Sequence, residues 1–155
     1  MRKIIAILML VLLLSPMTVF GAEFDFYGIK FGNTKEEINK VFSITNVDGT
    51  NKAKEPEHKM DDLYFKFDNN NCLYQIEAYY ILRSSNEENE ALLQAIDEHF
   101  VIPLKKQTEI KVITENYTYE GTYGSIKYYI LKISSKKQTD DYVRYLKNKI
   151  IQEMK

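Results

Sequence analysis

The chain has no tryptophan, one cysteine, two histidines, three prolines and six glycines among 155 residues. A single cysteine, Cys72, excludes an internal disulfide framework. A chain of this length buries about two thirds of its unfolded surface, so it needs neither disulfides nor a structural metal to hold it together. Scarce glycine and proline exclude a fibrous or low-complexity protein, and an apolar content of 45% excludes intrinsic disorder. The glycines stand singly, so no loop rich in them is present to cradle a phosphate. His58 lies among Glu55, Glu57, Asp61 and Asp62, and His99 beside Asp97 and Glu98. No H-x-x-x-H, C-x-x-C or H-E-x-x-H spacing accompanies them, and the acidic cluster lacks the order of a calcium loop, so both histidines read as exposed side chains.

Nucleophilic chemistry is equally poorly provided for. There is no G-x-S-x-G, and nothing brings a histidine to Cys72. The acidic pairs Glu36/Glu37, Glu87/Glu88 and Asp140/Asp141 all fall in expected first helical turns, where the helix dipole accounts for them. No catalytic, cofactor-binding or metal-binding residue is therefore expected.

Long hydrophobic runs are also missing, with one exception near the amino terminus. Arg2 and Lys3 precede an uninterrupted apolar run of 11 residues, Ile4 to Leu14, which Ser15-Pro16 ends before Gly21-Ala22. Spanning a bilayer takes about 20 residues, so this is the layout of a signal peptide rather than a membrane anchor. We expect residues 1–21 to be cleaved, with Gly21/Ala22 the preferred junction because it leaves Val19 three positions before the cut. Cleavage after Ala22 would put bulky Phe20 there. No cysteine near the junction is available for lipid attachment. The expectation is an exported, soluble protein, periplasmic or extracellular, with no stable membrane span.

Losing Arg2 and Lys3 takes the 21 basic residues to 19, against 22 acidic ones. A negative balance gives no electrostatic reason to bind nucleic acid. Cys72, without an internal partner in an oxidising compartment, reads as a buried small hydrophobe, or alternatively as a route to a disulfide-linked dimer.

The remaining residues, 22–155, read as one α+β domain. Phe24, Phe26, Ile29 and Phe31 change parity across Gly28, which predicts an extended segment with a kink or bulge. Thr34 and Glu37 form a capping box, followed by Ile38, Val41 and Phe42 at helical spacing. Thr45 to Asp61 is polar and reads as a long loop with a turn at Asp48-Gly49. Leu63, Phe65 and Phe67, the Asp68–Asn71 turn, then Cys72, Tyr74, Ile76, Ala78, Tyr80 and Leu82 spell a hairpin with one apolar face. A second capping box, Ser85 with Glu88, opens a helix carrying Leu92, Ala95, Ile96 and Phe100, which Pro103 should end. Strands follow at Ile110–Tyr119 and Ser125–Ile133, and a last helix at about 139–154 carries the stripe Val143, Leu146, Ile150 and Met154. The order is α-β-β-α-β-β-α, two αββ units (about 33–83 and 85–134) and a closing helix. It is best satisfied by a four-stranded or slightly larger antiparallel sheet with the helices packed on one face.

The segment Tyr27-Gly28-Ile29-Lys30-Phe31-Gly32-Asn33-Thr34-Lys35-Glu36-Glu37-Ile38, followed by a Phe-rich hairpin, resembles the opening of small exported bacterial proteins with a G-x-x-F/L-G-x-[ST]-x-x-[EQ]-[VI] motif. The two-unit order is similar to the β-lactamase inhibitor protein fold and, more loosely, to the BamE/SmpA outer-membrane assembly domain. The resemblance implies an antiparallel sheet following the first helix. This sequence lacks the lipidated cysteine of the one family and the two disulfides of the other, so no functional residue carries over from either.

What is plentiful is tyrosine. Eight of the 12, Tyr74, Tyr79, Tyr80, Tyr117, Tyr119, Tyr123, Tyr128 and Tyr129, fall on the last three of these strands and the turn between the final two. Adjacent pairs must point to opposite faces. Tyr79, Tyr117, Tyr119 and Tyr129 are accordingly the candidate binding residues, offering rigid amphipathic rings on the uncovered face. The expected function is a non-catalytic protein-interaction or ligand-binding module of the bacterial cell envelope, with an envelope protein as partner. The alternative is a small secreted hydrolase or ligand-processing enzyme using carboxylates in a cleft.

Overall fold

The structure is a computed structural model that describes residues 24–56, 60–122 and 124–154. The expected leader, its cleavage junction, His58 and Tyr123 lie outside the described residues.

The first described residues fold back on themselves. Tyr27 and Gly28 both take positive φ (52° and 87°), the two-residue turn that matches strand twist, and Phe26 and Ile29 exchange backbone hydrogen bonds across it. The Asp25 carboxylate accepts from the Gly28 N–H at 2.7 Å. The parity change thus marks a tight reversal instead of a bulge, and it brings Phe24 and Phe31 into a stack with centroids 4.4 Å apart.

Helix α1 (Lys35–Phe42) begins at the expected capping box: Thr34 Oγ1 accepts from the Glu37 N–H, and the Glu37 carboxylate accepts from the Thr34 N–H at 2.7 Å. The polar stretch after it begins as a hairpin and not as a loop. Strands β1 (Ile44–Val47) and β2 (Thr50–Ala53) form a hairpin around Asp48-Gly49, whose φ values of 48° and 80° are those of a type I′ turn. The hairpin β3 (Asp62–Phe67) and β4 (Leu73–Leu82) follows. A register shift after Lys66 buries Leu73 completely and leaves Cys72 outside the strand, half-buried, with its Sγ 3.7 Å from the Asn70 carbonyl.

Helix α2 (Asn86–Ile96) is capped by Ser85. It does not end at Pro103, because a π-helical turn, Asp97–Val101, carries it into a last helical turn, Ile102–Lys105. Proline stands in the first turn of that last segment, directly after the π turn, where the wider winding accommodates it. Long strands β5 (Ile110–Gly121) and β6 (Gly124–Ser135) form the final hairpin, and α3 (Lys136–Glu153) closes the chain.

The sheet has six antiparallel strands in the order β1-β2-β3-β4-β6-β5, so the four-strand count and the simple αββ order give way to α-β-β-β-β-α-β-β-α. One face carries Leu63, Phe65, Ile76, Ala78, Tyr80, Tyr129, Leu131 and Ile133, all buried. Against it pack Ile38 and Phe42 of α1, Ile96 at the end of α2, Val101 and Leu104 beyond it, and Phe24, Phe26 and Ile29 of the amino-terminal turn. Each such side chain contributes roughly 1.5–3 kcal/mol when fully withdrawn from water. Among the described residues, this core runs from Phe24 to Ile133.

The third helix breaks the expected pattern. No residue of α3 is buried, and its stripe is exposed: Val143 by 58%, Leu146 by 37%, Ile150 by 55% and Met154 by 81%. The covered face is already filled by α1, α2 and the amino-terminal turn. What ties α3 to the body is polar and aromatic. The Gln138 amide, oriented with Nε2 toward the Leu73 carbonyl (2.9 Å) and Oε1 toward the Gly32 N–H (3.1 Å), bridges its first turn to the core. Tyr142 sets its ring against Tyr74.

Candidate functional site

Strand alternation and register place a second set of side chains on the face that no helix covers. Cross-strand partners run Lys52, Tyr64, Glu77, Lys132 and Ile113 in one row, and Asp62, Tyr79, Ile130 and Glu115 in the next. A third row is Ile81, Tyr128 and Tyr117, and beyond the end of β4 Ile126 faces Tyr119 on the projecting tip of the β5–β6 hairpin.

Three of the rings touch in series, and strand register carries the row on to a fourth. Tyr64 and Tyr79 meet edge to face at 5.2 Å, Tyr79 and Tyr128 at 6.2 Å, and Tyr117 is the register partner of Tyr128. Exposure rises along it: Tyr64, Tyr79 and Tyr128 are half-buried, whereas Tyr117 and Tyr119 are each 53% exposed and Ile126 is 40% exposed. Charges frame one end. Glu77, only 8% exposed, accepts from Lys66 Nζ (2.6 Å) and Gln75 Nε2 (2.5 Å), with the Tyr79 hydroxyl donating at 3.4 Å. Lys52 pairs with Asp62 and lies over the Tyr64 ring, 5.5 Å from its centroid, while Lys132 donates to Glu115 at 2.7 Å.

Three of the four expected binding residues, Tyr79, Tyr117 and Tyr119, share this face. Tyr129 does not. It is the register partner of Tyr80 on the covered face and only 8% exposed, so the outward-facing member of the Tyr128-Tyr129 pair is Tyr128. Tyr64 and Ile126 are the members that the sequence did not single out; Tyr64 stands between Leu63 and Phe65, whose alternation already implied an outward ring.

No family model, curated protein or solved structure matches this chain. What it does must be argued from its own surface.

Burial, then the nearby Glu77 charge, pushes the Tyr79 phenol up to about 12. Burial likewise raises Tyr64, and more strongly Tyr80 beneath the helices. A phenol that holds its proton more tightly when folded stabilises the fold up to its unfolded pKa of about 10, and that contribution is lost as pH rises through the folded value. Denaturant midpoints should therefore fall between about pH 10 and 12, and Tyr79→Phe should flatten the fall. Identical pH dependence in the two proteins would show that Tyr79 is not held protonated.

A cleft of about 590 Å³ lies between α2 and the end of β4, with Met60, Leu92 and Ala95 on its apolar side and Asp61, Arg83 and Glu88 at its polar edge. Asp61 is committed to the backbone, accepting from the Ile81 N–H at 2.6 Å, and Asn89 closes on both the N–H and the carbonyl of Arg83. His99 is exposed, with its ring edge to face on Phe100 at 4.6 Å. Among the described residues, no three His, Cys, Asp or Glu side chains are grouped to hold a metal ion, and no helix is long and apolar enough to cross a membrane.

Proposed function

We propose that the chain is an exported, non-catalytic interaction module of the bacterial cell envelope that binds a protein partner through the open sheet face. One observation carries this: the uncovered face holds three tyrosines in ring contact and, in register beyond them, two more on a hairpin tip that is exposed on both sides. Tyrosine supplies large contact area at low entropy cost and one hydrogen-bonding end, the combination found at interface hot spots. The acids and lysines around Glu77 suit a polar rim, where charge selects among partners. The hydrolase alternative asks for a carboxyl held protonated in a cleft. Glu37, Glu87 and Asp141 move the other way, downward, through cap hydrogen bonds or the Lys137 ion pair.

The test is capture from envelope extract with mass spectrometry, comparing the chain from Ala22 with its Tyr79→Ala/Tyr117→Ala/Tyr119→Ala variant. The variant should keep its far-ultraviolet circular dichroism and lose the partner. Capture undiminished by the three substitutions would remove this face from the binding surface.

A further inference from the structure

We propose that α3 is a peripheral docking element for an anionic lipid surface, lying in the plane of the headgroups with its apolar stripe inward. The helix is 18 residues, about 27 Å long at 1.5 Å per residue, and only its first two turns are tied to the sheet through Gln138 and Tyr142. Val143, Leu146, Ile150 and Met154 recur at helical spacing, and with Ile151 (43% exposed) they make an apolar face open to solvent.

Charge identifies the occupant. From Lys136 to Lys155 there are six basic residues against three acidic ones, whereas residues 22–135 carry 13 basic against 19 acidic. The positive charge of this protein is thus concentrated on the element with the exposed stripe. Two of the three acids of the helix are already paired, Asp141 with Lys137 (3.0 Å) and Arg144 (3.7 Å), and Glu153 with Lys149 (3.9 Å), leaving only Asp140 at its amino-terminal end. Lys147 has no acidic partner among the described residues, and it stands four positions after Val143 and three before Ile150, within the stripe itself, lining one groove with Val143, Leu146, Ile150 and Ile151.

That position separates the occupants. A second copy packed on this groove, which is centred on Lys147, would bring that lysine to its own counterpart in either direction, like charge against like in a dry seam. The apolar run Ile4–Leu14 is flanked by Arg2 and Lys3 and offers no negative group either. At a lipid surface the same lysine lays its methylenes along the stripe and lifts its ammonium to the phosphates.

The experiment is flotation of the chain from Ala22 with vesicles of phosphatidylglycerol in phosphatidylcholine, and with phosphatidylcholine alone. Binding is expected to the anionic vesicles, weakening with salt. Val143→Ser/Ile150→Ser should reduce it by roughly tenfold or more, since two apolar anchors are lost, with an unchanged thermal midpoint because neither side chain is buried. Lys147→Gln should weaken it as well. The proposal fails if the protein does not partition onto anionic vesicles, or if the double variant binds them equally well. It fails also if sedimentation equilibrium without lipid shows a dimer that the double variant abolishes, which would give the stripe to a second copy. None of these outcomes bears on capture by the tyrosine face, where α3 is not involved.

Discussion

Phe26→Ala is expected to lower folding stability by about 3–5 kcal/mol. For a single domain whose total is roughly 5–15 kcal/mol, that is enough to leave the fold marginal. The ring is 1% exposed and is enclosed by Tyr27, at 4.9 Å edge to face, and Phe100, at 5.5 Å. It stands at the junction of the amino-terminal turn with the end of α2, so truncation removes contacts on both and leaves a cavity that two separate chain segments would have to close. Urea unfolding of the chain from Ala22 should show a lowered midpoint with an unchanged slope. Tyr119→Ala, at the exposed hairpin tip, serves as the comparison and should stay within about 0.5 kcal/mol of the parent. Equal effects from the two substitutions would mean that the residues just after the expected cleavage junction are an appendage and not part of the core.

What could be foreseen of the fold divides along physical lines. The first two helix starts were legible because a cap is a local contract: Thr34 and Glu37 satisfy each other's backbone amides with no help from the rest of the chain. The last helix instead starts at Lys136, capped by Ser135, three residues before its expected start. The β3–β4 hairpin was legible because Leu63, Phe65, Ile76, Ala78 and Tyr80 alternate with polar partners, and a half-buried sheet needs that alternation. Strands β1 and β2 were missed for the converse reason. They lie at the sheet edge and bury only Ala53 fully, so their turn, Asp48-Gly49, was visible while the strands on either side looked like loop. Pro103 misled because its cost depends on where in a helix it falls, and the π turn before it moved it into a first turn. The stripe of α3 was correctly seen as amphipathic, but periodicity reports that one side is apolar and not what it lies against.

The candidate site shows the same division in finer detail. On β4 the phase was unambiguous, because Gln75 and Glu77 marked the polar side and put Tyr79 with them. On β6 both parities are apolar: Ile126, Tyr128 and Ile130 on one, Tyr129, Leu131 and Ile133 on the other. Either could have faced the core. Even on the open side Ile130 is 5% exposed, screened by the surrounding side chains, so burial alone would not have revealed the phase. The cross-strand register decides it, since Tyr80 lies under the helices and Tyr129 is its partner.

The two adjacent tyrosines therefore give a sharp contrast. Tyr129→Ala is expected to cost about 3 kcal/mol or more, the usual penalty for truncating a large buried aromatic ring, because it opens a space beside Tyr80 and leaves nothing of similar size to refill it. Tyr128→Ala removes a half-buried ring whose described aromatic contact is the 6.2 Å edge-to-face approach to Tyr79, for which about 1 kcal/mol is the proper scale. Partner capture should invert the order. At a temperature where both variants are folded, Tyr129→Ala should retain the partner, since its ring never reaches the open face, and Tyr128→Ala should weaken retention by breaking the tyrosine series between Tyr79 and Tyr117. Unfolding midpoints and capture measured on the same two proteins separate stability from recognition at neighbouring positions. Loss of capture in Tyr129→Ala with Tyr128→Ala unaffected would place the binding surface on the helical side of the sheet.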